Sequence, residues 1–153
     1  MGSKRAMKSE EGRLDVPEGY EPLYRESAFV NLIGPIYQKS TDDCLRLGLR
    51  AGDKHCNMRG DIHGGVVSSL ADIALGYNIA FSQQPSISAV TATLTVDYVG
   101  RISRGDWLEV HTDIQKLGKR LAFANCFFFV GDQRVARANA VFNVLNKKVD
   151  QSF

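Results

Sequence analysis

The residue types that can do chemistry are concentrated in Asn57-Met58-Arg59-Gly60-Asp61-Ile62-His63-Gly64-Gly65, which runs into an apolar segment whose single carboxylate is Asp72. If that segment is a helix, its first backbone N–H groups lack intrahelical acceptors, and the aligned peptide dipoles place partial positive charge there. Such a terminus stabilises an oxyanion developing on a bound carbonyl. Gly64 and Gly65 carry no side chain that would hold a carbonyl away from their N–H groups. Asp72 follows about two turns later. A carboxylate in an apolar helix is costly unless it is paired or has a task, so Asp72 is the residue that most needs a reason.

Each of these residues also has a structural reading. Asp72 could be a hydrogen-bond acceptor, His63 a helix cap or core histidine, and Asn57 a residue that closes a loop. Asp61, His63 and Asp72 form an oxygen and nitrogen set, but catalytic zinc sites normally use at least three ligands from a recognised set. His55, His63 and His111 show no paired spacing of that kind, so neither a metal nor a redox cofactor is expected.

Taken together, Asn57, Gly60, His63-Gly64-Gly65, Leu70 and Asp72 at this spacing resemble the hotdog-fold acyl-CoA thioesterases of the phenylacetate-pathway type. Thr91 to Tyr98, Gly118 to Phe123 and Val135 to Ala138 look like that family's strands in the same order, and the resemblance covers roughly Asn31 to Asn146. It implies an acyl-CoA substrate cleaved to free acid and thiol. Gly64 would polarise the thioester carbonyl through its N–H, with His63 shaping the loop beside it and Gly65 contributing to substrate binding. Asn57 would position the carbonyl or the attacking water. Asp72 would act as general base or nucleophile, reaching the site from a partner subunit, and Thr91 would orient water near it. Thr91 is also the residue type that a half-exposed strand carries. The cations Lys119 and Arg120, with Arg101 and Arg104, could receive the phosphates of coenzyme A, or be solvated loop residues. The rivals are a hotdog dehydratase, which would need a His–acid pair in other surroundings, and a non-catalytic acyl-CoA binding module.

The elements that must position these residues can be read from periodicity. Val66 to Phe81 is apolar on nearly every face, which predicts a buried central helix, and Pro85 follows it. Glu21 to Ile33 suits a short helix leading into the domain. Ile36 to Ser40 and Cys44 to Arg50 read as a hairpin across Thr41-Asp42-Asp43. Beyond Pro85, Ala92, Leu94, Val96 and Tyr98 alternate with Thr91, Thr93, Thr95 and Asp97, and Leu108 to Ile114 alternates likewise. Turns at Gly118 and Gly131 separate Leu121 to Val130 from Val135 to Leu145. The fold class expected is α+β, a hotdog in which a curved antiparallel sheet wraps the helix. Phe127, Phe129, Val135 and Val141 lie on strands that are apolar in both alternation sets, so a homo-oligomer is expected, a dimer as the unit and a tetramer as the assembly.

At 153 residues and 44% hydrophobic composition the chain fits one ordinary folded domain. Residues 21–153 are expected to form it, and residues 1–20, rich in Lys, Glu, Arg and Gly, to be disordered. A net charge of +2 argues against nucleic-acid binding, which shows as a concentrated basic face. No uninterrupted apolar run approaches the roughly 18 residues of a membrane span, and the charged start lacks a secretory apolar region, so a cytoplasmic location is expected. Cys44, Cys56 and Cys126 are odd in number and widely spaced, which reads as reduced thiols.

Overall fold

The computed structural model describes residues 16–145. Strand β1 (Glu21–Pro22) and helix α1 (Ala28–Ile33) lead into β2 (Ile36–Ser40) and β3 (Leu45–Arg50). A 3-10 turn at Asp53–His55 precedes the long helix α2 (Gly64–Phe81), and β4 (Ser88–Tyr98), β5 (Trp107–Leu117), β6 (Leu121–Val130) and β7 (Gln133–Leu145) complete the chain. The strands form one seven-stranded antiparallel sheet in the order β1-β2-β3-β5-β6-β7-β4. β5, β6 and β7 meander as expected, while β4 crosses to the far edge and pairs with β7.

Most local signals act as read. Thr41 closes the first hairpin, its backbone N–H and hydroxyl both donating to the Cys44 carbonyl at 3.0 and 2.9 Å. Entry to the domain differs from the single expected helix. Glu21–Pro22 joins the sheet edge, and the helix begins only at Ala28, where Ser27 caps it by accepting from the Val30 N–H at 3.1 Å. Order also begins before Glu21. Tyr20 packs edge-on against Trp107 with ring centroids 5.1 Å apart, an aromatic anchor that outweighs the polar composition around it. The rest of the expected disordered arm, residues 1–15, lies outside the described residues.

Helix α2 buries one face completely. Val67, Leu70, Ala71, Ala74, Leu75 and Ile79 lie against Leu47, Leu49, Leu108, Val110 and Phe128 on the inner face of the sheet. The middle of that face is lined with small residues, Ala122, Ala124, Ala136, Ala138 and Ala140, so the backbone of β6 and β7 can approach the helix and the sheet can curve around it. Asn78 pins the helix to β3. Its Oδ1 accepts from the Leu45 N–H at 2.9 Å, and its Nδ2 donates to the Leu45 carbonyl at 3.0 Å, as a neighbouring strand would.

The expectation of a fully buried helix needs correction, because one sheet covers only one side. Val66, Ile73, Tyr77 and Ala80 remain half-buried. By length and composition alone α2 could cross a bilayer, a feature the count of uninterrupted apolar residues missed, but its apolar face is packed on the sheet. The core also fixes the state of one thiol: burial pushes Cys126 up to about 12. At pH 8, alkylating reagents should therefore modify the half-exposed Cys44 and Cys56 and spare Cys126 until denaturant unfolds the protein. Mass spectrometry would show the order, and rapid native-state modification of Cys126 would contradict this packing.

Candidate active site

His63 stands just before the first turn of α2 with φ −67° and ψ 135°. Its Nδ1 accepts the Gly65 N–H at 2.9 Å, so it is a helix cap. Its own backbone N–H donates to the His55 carbonyl at 2.8 Å. His55 is buried and structural, with Nε2 at 2.5 Å from the Ile33 carbonyl and Nδ1 accepting from the Gly52 N–H at 2.9 Å. One consequence corrects the sequence reading: the Gly65 N–H is engaged by His63 and is not open to a substrate. The Gly64 N–H has no acceptor among the described residues, so it is the N–H left open at this helix end.

A residue the sequence reading passed over completes the tip. The Tyr98 hydroxyl, carried on β4, donates to the Gly64 carbonyl at 2.8 Å and lies 2.7 Å from the Ser68 hydroxyl. A Cβ at position 64 would meet that hydroxyl at 3.2 Å. The cleft in front of the tip, about 570 Å³, is lined by Gly64, Tyr98, Asp61 and Arg101, among others. Arg101 is held there by Asp61, Nε to Oδ1 2.5 Å. Asn57 opens the tight turn that ends at Asp61, its backbone N–H donating to the Asp61 carbonyl at 2.7 Å. Its Oδ1 accepts from the Arg59 N–H at 2.9 Å and the Asp61 N–H at 3.3 Å, with Gly60 at φ +81° allowing the turn. The Asn57 carbonyl oxygen therefore shapes the loop, and only its amide nitrogen remains to meet a ligand.

Asp72 lies in a second cleft, about 720 Å³, whose walls include Ile73, Tyr77, Phe29, Val90 and Phe142. The Thr91 hydroxyl donates to Asp72 Oδ1 at 2.5 Å. A β-bulge makes this contact. The register of β4 against β7 shifts between Thr91 and Thr93, so Ala92 is the extra residue and the side-chain parity of the strand reverses there. Downstream, Leu94 and Val96 turn toward the helix; upstream, Ala89 and Thr91 do. The pair leaves Asp72 Oδ2 available to take a proton.

Within one chain Gly64 and Asp72 stay apart, and most of the cations expected at the coenzyme A phosphates line neither cleft. Gly64 and Asp72 are eight residues apart on a continuous helix, about 12 Å along its axis, too far to grip one carbonyl from both sides. Lys119 and Arg120 occupy the exposed β5–β6 turn and line neither cleft; among the cations considered, Arg101 is the one that does. Arg104 pairs with Asp53, Nη1 to Oδ1 2.6 Å. No group of three His, Cys, Asp or Glu side chains that could hold a metal occurs among the described residues.

Comparison with known proteins identifies the family and the fold. The model of the Thioesterase superfamily matches residues 59–137, just over half of the chain. A Pseudomonas aeruginosa protein provisionally named an esterase is 45% identical over 132 residues, covering 86% of this chain and 98% of its own. Among solved structures, the Escherichia coli PaaI protein of the phenylacetic acid degradation operon superposes with a TM-score of 0.71 at 19% identity, covering 94% of this chain and 95% of that one. A Streptococcus mutans protein solved with bound acetyl-CoA gives 0.71 at 21% identity, covering 82% and 97%. The chain has the hotdog fold and belongs to the Thioesterase superfamily.

Proposed function

We propose that the protein hydrolyses an acyl-CoA thioester, in the manner of the phenylacetate-pathway group, at a site shared between two protomers. The observation that carries this reading is the division of the machinery: an open oxyanion donor at Gly64 and a threonine-bonded carboxylate at Asp72 lie about 12 Å apart on one helix. Pairing two copies would supply each donor with the other copy's carboxylate. The half-covered side of α2 and the outer edge of β4, unpaired among the described residues, offer the surface for such pairing.

In this mechanism the thioester oxygen lies on the Gly64 N–H, with the Asn57 amide beside it. Asp72 of the other protomer takes a proton from water on Oδ2 while Thr91 holds Oδ1. The hydroxide adds to the carbonyl carbon, and the oxyanion is stabilised at the helix tip. Collapse of the tetrahedral intermediate breaks the C–S bond. The proton held by Asp72 passes to the leaving thiolate, giving the free acid and CoA. The relative solved with acetyl-CoA supports the choice of thiol carrier, and the esterase name of the 45% identical relative supports hydrolysis.

A thiol-release assay across short, long and aryl acyl-CoAs tests the reaction, and sedimentation at the assay concentration tests the shared site. At least one acyl-CoA should release thiol with kcat/KM above about 10⁴ M⁻¹s⁻¹, in the range of enzymes acting on their own substrates. Tight binding without thiol release would favour a binding module, and a fully active monomer would end the shared-site reading.

A further inference from the structure

The cleft that holds Asp72 has a cation at its other end. Along α2 the cleft is lined by Asp72, Ile73, Gly76, Tyr77 and Ala80, so beyond the carboxylate the small residues Gly76 and Ala80 leave room beside Ile73 and Tyr77. At the far end Arg25 lines the wall, its guanidinium 5.1 Å from the centroid of the Phe81 ring. That ring is itself braced edge-on by Tyr24 and Tyr77, at 5.6 and 6.3 Å. Asp72 and Phe81 are nine residues apart on the helix, about 14 Å along the axis. Arg25 has no carboxylate partner among the described residues. The cleft is therefore an open trough of mixed lining, apolar at Phe29, Ile73, Tyr77 and Phe142, with a carboxylate at one end and, at the other, a guanidinium that is stacked on an aromatic platform and has no carboxylate partner among the described residues.

Arg25 is exposed at the rim, and a hydrocarbon acyl chain lying in this trough would offer its guanidinium no partner. A carboxylate at the end of the chain would pair with it through two parallel N–H···O bonds, a geometry that guanidinium favours. We infer that the acyl group of the substrate ends in a carboxylate, so that the substrate is the CoA half-thioester of a medium-length dicarboxylic acid and Arg25 selects it. This rests on the proposed hydrolysis of an acyl-CoA at Asp72 and specifies which acyl-CoA.

The test compares adipyl-, suberyl- and sebacyl-CoA with hexanoyl-, octanoyl- and decanoyl-CoA, using the full-length protein and its Arg25→Gln and Arg25→Lys variants. Turnover and, by calorimetry, binding are measured for each. At the best-fitting length the carboxylate-ended substrate should exceed its methyl-ended counterpart at least tenfold in kcat/KM and in affinity. The ratio should fall to near one in Arg25→Gln and be partly kept in Arg25→Lys. A methyl-ended series that is equal or better, or a preference that survives Arg25→Gln, overturns the inference. So does an equal loss on both series in Arg25→Gln, which would place Arg25 on the CoA phosphates instead. If carboxylate-ended ligands bind preferentially through Arg25 but none is cleaved, the hydrolytic reading fails and the recognition stands. If methyl-ended substrates alone are cleaved, the reverse holds.

Discussion

Asp72→Asn should lower turnover at least about a hundredfold, a loss of roughly 2.7 kcal/mol in transition-state stabilisation, while acyl-CoA affinity changes little. Asn is nearly isosteric, and its Oδ1 can still accept the Thr91 hydroxyl that now meets the carboxylate at 2.5 Å. Asp72 is only half-buried, so exchanging its charge for an amide strands no ion and leaves no cavity. The amide nitrogen cannot take a proton from water, and chemistry should be lost with the fold intact. The melting temperature should stay within about 4 °C of the parent, a change of roughly 1 kcal/mol for a chain of this size. A structural acceptor would behave oppositely, with stability falling and turnover per folded molecule kept. Turnover and melting measured on one preparation distinguish these, and a folded variant with near-normal turnover would direct attention to His63.

The companion experiment removes one backbone N–H. Gly64 is the first residue of α2, the helical position at which proline is best tolerated, because the N–H there has no intrahelical acceptor. His63 before it already has ψ 135°, the extended conformation that a following proline demands. Gly64→Pro should therefore keep the helix while removing the oxyanion donor, lowering turnover by about 10²- to 10³-fold, the range found for loss of one such donor. Gly64→Ala is the control. It crowds the Tyr98 hydroxyl equally, a Cβ there meeting it at 3.2 Å, but keeps the N–H and should keep most of the activity. If the Gly64 donor and Asp72 come from different protomers, coexpressing Gly64→Pro with Asp72→Asn should restore activity. Random pairing makes half the dimers mixed, and each mixed dimer has one intact site, so recovery should reach about a quarter of wild type. No recovery in demonstrably mixed dimers would place both groups in the same site of one chain.

Much of this arrangement is legible without coordinates, for identifiable reasons. The long apolar run before Pro85 and the glycines before it define α2, and the Gly118 and Gly131 turns separate strands whose alternation is regular. His63-Gly64-Gly65 locates the helix tip because capping and close approach both leave a mark on residue type. Which glycine keeps a free N–H is not legible, since it depends on the His63 ring turning back to Gly65. The bulge at Ala92 is likewise hidden. Thr91, Ala92 and Thr93 are small enough to face either way, so the alternating pattern reads smoothly across a reversal. Lys119 and Arg120 show their charge and their turn in the sequence, but whether that turn meets a cleft depends on the strand order, in which β4 crosses to the edge beside β7. Tyr98 shows only the alternation of an ordinary strand residue, and Arg25 reads as one more cation in the segment expected to be a short helix.

The Ala92 bulge separates two tasks along a single strand. Upstream of it, Ala89, Val90 and Thr91 form part of the wall of the cleft proposed for the acyl group, and Thr91 holds the Asp72 carboxylate; downstream, Tyr98 braces the helix tip where the proposed mechanism polarises the carbonyl. Because the two halves meet α2 in opposite parity, a change of side-chain volume in the upstream half need not be transmitted through the pleat to the tip. An ancestral chain with this joint could exchange one acyl preference for another by substitutions upstream of residue 92 while the oxyanion donor stayed in place, so that substrate range and catalytic competence evolve as separable traits.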